Sequence, residues 1–327
     1  MNRFGVLLIC LMLMGRVFGA ETTFGFLRSV DGGRTWLDTT ESFRSNRVNV
    51  LSAIGKSIWA GSEQGLFASG NDGVSWIHAG ETEFRSARVL CLVEGSGVML
   101  AGTERNGIWR STDEGQSWLR AGQSKYVRAL AWNRGKFWAG LDDGTVWVSE
   151  DAGITWRTMS EGLPEHGQIF ELHPDSKGRL YAGLYSKGFY EFRNGLWRQL
   201  GKEARPYAMY VADDVLLAGH NPGGIYRSVD GGASWVHMTQ DVASDAPSWT
   251  FFEANGAIYY GTTGLSGLYA SRDRGKTWRP VAPGDLRSRA VVALTAKGTT
   301  LFAVTVDRPT RGALDSILEG RTNLTGP

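Results

Sequence analysis

Short apolar runs alternate with glycine-bearing turns along most of the chain. In residues 88–120, RVLCLVEGSGVMLAGTERNGIWRSTDEGQSWLR, four such runs lie around 88–93, 97–102, 107–111 and 117–120. Short runs rich in Val, Leu, Ile and Trp and bounded by glycine predict β-strands. This segment therefore predicts a unit of four antiparallel strands.

The same frame recurs along the chain, and its best-marked part is an eight-residue string that ends in tryptophan. This string, called the box below, reads SVDGGRTW at 29–36, SGNDGVSW at 69–76, STDEGQSW at 111–118, SEDAGITW at 149–156, SVDGGASW at 228–235 and SRDRGKTW at 271–278. A shortened copy, RNGLW, ends at Trp197. Consecutive tryptophans are 38–43 residues apart, a period typical of the four-stranded blades of a β-propeller.

The residues of the box predict a tight turn between the third and fourth strands rather than a catalytic site. The acid, which is Asn71 in the second copy, can accept backbone N–H bonds within a turn. The glycine two positions later suits a left-handed backbone. We expect the tryptophan to begin the outer strand and to anchor its blade on the neighbouring sheet. The structural residues predicted in the boxes are Asp31, Asn71, Asp113, Asp151, Asp230, Asp273, Trp36, Trp76, Trp118, Trp156, Trp235 and Trp278.

The pattern S-x-D-x-G-x-T-W resembles the Asp-box, or bacterial neuraminidase repeat, and the resemblance covers nearly the whole chain beyond its first twenty residues. Asp-boxes occur in sialidases, xyloglucan-degrading glycosidases, sortilin-type receptors and the seven-bladed photosystem II assembly factor family. The resemblance implies an all-β propeller. In architecture the chain is most similar to the single-domain assembly factors and the sortilin-like repeat proteins. The resemblance predicts function far less well than fold, since one fold carries many activities.

Counting the repeats predicts seven blades. Inner strands should begin near residues 47, 88, 127, 169, 207, 248 and 290. The chain starts with outer-strand segments, FGFLRS and RTWLDT, and its last clear strands are of the inner type, AVVALTAKGTTLFAV. We therefore expect a composite seventh blade that joins strands from both ends of the chain, rather than an eighth partial blade. FGFLRS and GALDSI both fit its third strand, so the source of that strand stays open.

Residues 1–20, MNRFGVLLICLMLMGRVFGA, have the basic start, apolar run and small-residue end of a signal peptide. Cleavage after Gly19 and cleavage after Ala20 both fit. Residues 21–327 are then expected to form one propeller domain in the periplasm or outside the cell. Cys91 would be the single cysteine of the mature chain, so we expect no internal disulfide.

Composition and motifs argue against several classes of protein. The formal net charge of +2 is too small to indicate a nucleic-acid partner. The sequence has no P-loop, no serine-nucleophile elbow and no metal-ligand spacing, so we expect neither cofactor nor metal. We also expect no membrane span after signal removal, and a monomer.

Candidate binding residues lie at the starts of the inner strands, on the face opposite the boxes. These positions carry arginines and aromatic residues, namely Arg47, Arg88, Tyr126, Arg128, Arg205, Tyr207, Trp249 and Arg289. Arginine binds carboxylates through a two-pronged fork, and aromatic rings offer flat packing surfaces. We therefore expect a binding or assembly module that holds a protein or another anionic partner at the mouth of the central channel. The alternative is that these arginines only solvate the strand starts.

A glycoside hydrolase is the alternative function. Loop acids predicted on the same face, Glu63, Glu104, Asp142 and Asp143, could supply the two carboxyl groups that glycoside hydrolysis needs. Two departures count against an enzyme. The Arg-Ile-Pro segment of sialidases is absent, and the chain has length for one propeller, whereas xyloglucan-degrading relatives place the substrate between two. The sequence leaves enzymatic activity open and favours a binding role.

Overall fold

The chain is described here by a computed structural model. It covers residues 24–43, 48–84, 87–123, 125–185, 187–201, 208–212, 214–220, 223–238, 242, 248–262, 267–281, 286 and 289–307. These residues form a ring of seven blades, each a sheet of four antiparallel strands. The described ranges contain one helical segment, a single 3-10 turn at Thr40–Phe43. The all-β, seven-bladed prediction is confirmed, while the signal-peptide segment lies outside the described residues.

The strands are short and follow one another with little intervening chain. In chain order they are β1 (Phe24–Ser29), β2 (Leu37–Asp38), β3 (Val48–Ile54), β4 (Ser57–Ser62), β5 (Gly65–Ser69), β6 (Ile77–Ala79), β7 (Val89–Gly95), β8 (Val98–Thr103), β9 (Ile108–Ser111), β10 (Leu119–Ala121), β11 (Val127–Asn133), β12 (Lys136–Leu141), β13 (Val146–Ser149), β14 (Arg157–Thr158), β15 (Ile169–Pro174), β16 (Leu180–Leu184), β17 (Gly188–Arg193), β18 (Leu196–Leu200), β19 (Ala208–Ala212), β20 (Val215–Gly219), β21 (Ile225–Ser228), β22 (Val236–Met238), β23 (Ser248–Ala254), β24 (Ala257–Thr262), β25 (Leu268–Ser271), β26 (Arg279–Pro280), β27 (Arg289–Lys297) and β28 (Thr300–Asp307).

Blades 1 to 6 are consecutive groups of four strands, starting with β3–β6 and ending with β23–β26. Each blade has its first strand at the channel and its fourth strand at the rim, and neighbouring inner strands contact one another around the ring. The seven inner strands begin within one residue of the predicted positions. The repeat period therefore located the blades correctly.

Blade 7 closes the ring with strands from both ends of the described chain. Its strand order is β2-β1-β28-β27, and β1 pairs with β28 from Phe24 opposite Val306 to Ser29 opposite Leu301. The composite blade is confirmed, and FGFLRS supplies its third strand. The competing segment GALDSI lies outside the described residues.

Glycine in the second strand lets adjacent blades approach closely. A Cβ atom added to Gly102 of β8 would lie 2.7 Å from a side-chain carbon of Val127, the first residue of the next inner strand. Contacts that short do not occur between real side chains. The Ala-Gly pair that ends several second strands is therefore a packing requirement of the ring.

Box tryptophans anchor each blade on the blade before it. Trp118 of blade 2 contacts Phe84 and, in blade 1, Trp59, with ring centroids 5.3 and 6.4 Å apart. Trp235 of blade 5 stacks on Phe189 of blade 4 at 5.2 Å. Buried aromatic rings of this size contribute strongly to packing between sheets.

Hydrogen bonds within the box shape its turn. In the third copy the carboxylate of Asp113 accepts the N–H of Ser117 at 2.9 Å and the hydroxyl of Ser111 at 2.7 Å. The Ser111 hydroxyl oxygen accepts the N–H of Gly115 at 2.8 Å, and the indole N–H of Trp118 donates to the Gly115 carbonyl at 3.1 Å. The acid is committed to its own turn. The outer strand β10 begins one residue after Trp118, because the tryptophan still closes the turn.

The shortened copy of the box, in blade 4, forms a different turn but keeps the tryptophan that packs on the preceding blade. Asn194 and Gly195 have positive φ values of 53° and 82° and join β17 directly to β18, as in two-residue Asn-Gly hairpins. Trp197 is 2% exposed and packs edge-on against Trp138 of blade 3 at 6.5 Å. Loss of the box therefore leaves the contact between blades in place.

Candidate functional site

The boxes share one face of the ring with the turns between first and second strands. Lys297, in the last such hairpin, donates to the carboxylate of Asp72 in the box of blade 1 at 2.7 Å. The opposite face carries the loops between second and third strands and the connections between blades. It is the face on which the sequence predicts the binding residues.

A β-bulge lies at the start of the inner strand on this opposite face. In blade 3, Val127 pairs with Leu141 and Ala129 pairs with Gly140, so Arg128 is an extra residue in the ladder. Bulges bend the strand and re-aim the extra side chain. The bulged residues in the described inner strands are Asn49, Leu90, Arg128, Phe170, Trp249 and Val292.

Arg128 is a buried cation at this level of the ring, with 1% of its surface exposed. Its guanidinium lies 4.3 Å from the ring centroid of Tyr126 and 5.3 Å from that of Phe170, within cation–π range. Its Nε donates to the carboxylate of Asp142. A buried charge requires such partners, because its desolvation is costly. One side chain therefore joins blades 3 and 4.

Arg88 makes the corresponding link between blades 1 and 2. Its guanidinium lies 3.0 Å from the carboxylate of Glu104 and 3.8 Å from that of Glu63. Only 12% of the Arg88 side chain is exposed. The backbone N–H of Glu104 also donates to the Arg88 carbonyl at 3.0 Å, which fixes the loop that carries this acid.

Tyr126 lies between the two arginines. Its hydroxyl is buried and makes no hydrogen bond with the described part of the chain. Burial raises the pKa of Tyr126 to about 12, with the charge of Arg128 acting in the opposite direction and those of Glu104 and Asp142 in the same direction. The raised pKa keeps the phenol in its neutral form well above neutral pH.

These contacts form two sets, one over blades 1 and 2 and one over blades 3 and 4, and the charges of Arg88 and Glu104 act on Tyr126 across the space between them. We call the two sets together the mouth cluster. Its members are Glu63, Arg88, Glu104, Tyr126, Arg128, Asp142 and Phe170. Within it two arginines face three carboxylates. The described part of the cluster is therefore a charge-paired aromatic surface rather than the bare positive rim that the sequence suggests.

The structure brings together three of the eight predicted binding residues, Arg88, Tyr126 and Arg128. Arg289 instead reaches across its own blade to Asp38 of the outer strand, at 3.2 Å. Trp249 lies at the bulge of blade 6, and its side chain is not described. The remaining three, Arg47, Arg205 and Tyr207, lie outside the described residues.

Sequence reasoning missed Phe170 and its neighbour Tyr185, whose rings are 5.4 Å apart. The glycine of the second strand is a poor reference point for these positions, because its distance from the inner-strand bulge differs between blades. In blade 4 the hairpin between β15 and β16 is one residue longer than in blade 3, because Ile169 pairs with Leu184 whereas Val127 pairs with Leu141. Counting forward by one residue from the first apolar residue of each inner strand, Val127 or Ile169, aligns Phe170 with Arg128.

The acids of the cluster are each ion-paired with an arginine. Glu63 and Glu104 both direct a carboxylate oxygen at the one guanidinium of Arg88, and Asp142 binds Arg128. Glycoside hydrolysis needs one carboxyl that donates a proton and a second that attacks or activates water. The observed ion pairs suit carboxylates that hold the arginines in place better than they suit one proton donor and one nucleophile or base.

The described residues contain no group of three His, Cys, Asp or Glu side chains that could hold a metal ion. None of their helices is long and apolar enough to cross a membrane.

Comparison with known proteins agrees with the fold. No family model matches the chain. Its ring is similar to that of YCF48 bound to a D1 peptide, with a TM-score of 0.63 and 16% identity over 81% of this chain and 92% of that one. The chain is thus a seven-bladed β-propeller with structural similarity to YCF48, a photosystem II assembly factor.

Carbohydrate-active proteins are similar as well. A xyloglucanase of Paenibacillus is 27% identical over 214 residues, which is 53% of this chain and 20% of the xyloglucanase. An ancestral GH74 enzyme has a TM-score of 0.59 and 18% identity, over 75% of this chain and 37% of that one. The chain thus spans about a fifth of the length of the curated relative it matches.

Proposed function

We propose that this chain is an exported Asp-box propeller that acts as a binding or assembly module. Its partner would be a protein segment, or another anionic ligand, that docks on the face opposite the boxes. The observation that carries the proposal is the mouth cluster, in which Glu63 and Glu104 hold the partly exposed guanidinium of Arg88. Arginine and tyrosine are enriched among the residues that dominate binding energy at interfaces.

The ion pairs of the cluster bear on how a partner would bind. Since Glu63 and Glu104 hold Arg88 in place, the guanidinium is pre-oriented and loses little side-chain entropy on binding. An anionic group that joins this network would be opposed by the same two carboxylates. We therefore expect selectivity for a ligand that also packs on the aromatic rings, rather than general capture of anions.

The similarity to YCF48 supports this reading, because that propeller is described in complex with a D1 peptide. A single ring that covers 92% of the YCF48 chain has the size of a one-domain binding protein.

The test is affinity capture and cross-linking from the native exported fraction, followed by affinity measurement with the captured protein. Arg88→Ala should weaken binding at least tenfold, and binding of the unmodified protein should weaken with rising salt. The triple change of Arg47, Arg88 and Arg205 to alanine extends the test to the whole predicted rim. Arg157→Ala is the matched control, because Arg157 is an exposed, ion-paired arginine after a box tryptophan. Unchanged binding by both site variants would reject the proposal.

A glycoside hydrolase acting on xyloglucan or a related polysaccharide is the second candidate, favoured by the xyloglucanase match. Reducing-sugar release from a polysaccharide panel tests it directly. Turnover that is lost in Glu104→Gln or Asp142→Asn, with substrate binding retained, would establish the enzyme and displace the binding role. Turnover that both variants retain would place any activity outside the mouth cluster.

A further inference from the structure

An open cleft of about 610 Å³ lies between blades 6 and 7, on the side of the ring that carries the boxes. Blade 7 contributes Gly32 and Arg34 from its box, and blade 6 contributes Arg272, Arg279 and Pro280 among other residues. The cleft lies on the other face from the mouth cluster and takes no part in the function proposed above.

The three arginines of this cleft carry an uncompensated charge. Arg34, Arg272 and Arg279 are exposed, and none of them forms an ion pair with a carboxylate of the described chain. The one acid in the lining, Asp273, accepts hydrogen bonds from Ser271 and Thr277 of its own box. Arg272 also donates to the backbone carbonyl of Asn255 at 3.4 Å, which is a neutral partner. Three cations and one committed anion therefore leave the lining with a net positive charge.

The same positions in other boxes show that the fold does not require arginine there. Arg272 is the second residue of its box, Arg279 follows the box tryptophan, and Arg34 is the sixth residue of the next box. In the cleft between blades 7 and 1 these three positions are Val30, Leu37 and Val74, all exposed. In the cleft between blades 2 and 3 they are Thr112, Leu119 and Ile154.

Three like charges beside one cleft repel each other, and a bound anion would relieve that repulsion. Arginine presents a planar fork of donors that matches the oxygens of phosphate and sulfate. We infer that the cleft between blades 6 and 7 binds a dianionic oxyanion group, phosphate or sulfate, either free or carried on a small molecule that packs against Pro280. Because Arg34 belongs to the N-terminal strands and Arg272 and Arg279 to blade 6, the bound anion would also tie the closing blade to its neighbour.

Calorimetric titration at constant ionic strength tests this inference with three probes, namely inorganic phosphate, inorganic sulfate and a sulfated disaccharide. Saturable binding of one anion per chain is expected. The variant with Arg34, Arg272 and Arg279 all changed to alanine should bind at least tenfold more weakly. Tighter binding of the sulfated disaccharide than of inorganic sulfate would assign a carried group, and equal binding would assign the free anion.

The matched control changes Arg157, Arg193 and Arg198 to alanine, which removes the same charge from exposed arginines of blades 3 and 4. It should bind like the unmodified protein and show the same rise in melting temperature with phosphate. If the cleft variant folds poorly, Arg34→Gln and Arg279→Gln keep the side-chain bulk and should each weaken binding. Equal weakening in the cleft and control variants, or no saturable binding to the unmodified protein, would overturn the inference.

Discussion

The indole of Trp118 in blade 2 meets the indole of Trp59 in blade 1 edge to face, with ring centroids 6.4 Å apart and planes at 76°. Trp118 is 2% exposed, so its whole ring is part of the interface between the two blades. Trp118→Ala should lower the free energy of unfolding by about 3–5 kcal/mol, the usual cost of truncating a large buried aromatic residue. Chemical denaturation followed by circular dichroism measures this loss.

Trp156→Ala is the matched control for that change. Trp156 occupies the same box position and makes the same bond to the glycine carbonyl, at 3.2 Å, but its ring is only partly buried. Its replacement should cost clearly less. Equal losses in the two variants would contradict the role of buried tryptophan as the anchor between blades.

Acid should destabilise the fold through the box carboxylates. Hydrogen bonds, first among them from the hydroxyls of Ser117, Thr155 and Ser234, lower the pKa of Asp113, Asp151 and Asp230 to about 2. A lowered pKa in the folded state means that the unfolded chain takes up protons first. The stability contributed by these groups is complete above about pH 4 and is lost as pH falls towards 2.

The variant with these three acids changed to asparagine should show a shallower loss of unfolding free energy between pH 4 and pH 2. Asparagine is tolerated in this turn, since Asn71 accepts the N–H of Ser75 at 2.9 Å and donates to its hydroxyl at 2.8 Å. Parallel pH profiles for the variant and the unmodified protein would show that the boxes do not contribute to acid sensitivity.

Alanine substitutions at Gly97 and Gly115 distinguish the cost of a left-handed backbone from the cost of a crowded Cβ atom. Gly115 and Gly97 have similar positive φ values, +81° and +76°. A Cβ atom on Gly115 would lie 2.2 Å from the ring of Trp59, whereas one on Gly97 would meet nothing within 4 Å. Gly97→Ala should cost about 1–2 kcal/mol for the left-handed backbone, and Gly115→Ala should cost about 1–3 kcal/mol more for overpacking. Melting temperatures of the two variants test the difference.

Ring closure depends on the last two strands. Deleting residues 289–327 removes β27 and β28 and leaves the edge of β1 unpaired, which favours association between chains. We expect a lower melting temperature and larger species in size-exclusion chromatography. Deleting only 308–327 removes no described strand and serves as the control. A monomeric 1–288 chain with an unchanged melting temperature would refute the closure.

The blades could be predicted from sequence because six of the seven copies repeat the same local chemistry and the shortened copy keeps its tryptophan. In each of these boxes the residue equivalent to Gly115 needs a left-handed backbone, and the residue equivalent to Trp118 needs a place between blades. The spacing of the boxes along the sequence therefore equals the spacing of the blades. The source of the third strand of blade 7 could not be predicted, since FGFLRS and GALDSI are both short segments with apolar residues that fit the place. The structure selects FGFLRS, because this segment pairs in register with β28. Such pairing joins residues that are distant in the sequence, so no local pattern predicts it.

The candidate site was less accessible to sequence reasoning for two physical reasons. A bulge does not change amino-acid composition. The sequence of blade 3 therefore contains no pattern that indicates the burial of Arg128 between Tyr126 and Phe170. Ion pairing also depends on which loops meet. The acids Glu63 and Glu104 were visible in the sequence, but their shared contact with Arg88 spans two blades.

The pairing of β1 with β28 has a consequence for how the protein is made. β1 emerges from the ribosome among the first strands, and its partner is more than 270 residues behind it. Until Thr300–Asp307 has been synthesised, the nascent chain holds six locally completed sheets and one exposed strand edge. Such an edge is open to other chains and to proteases during synthesis. The closing step is then a single late event of long loop closure, so slowed translation would act on this protein at blade 7 before any other part of the ring.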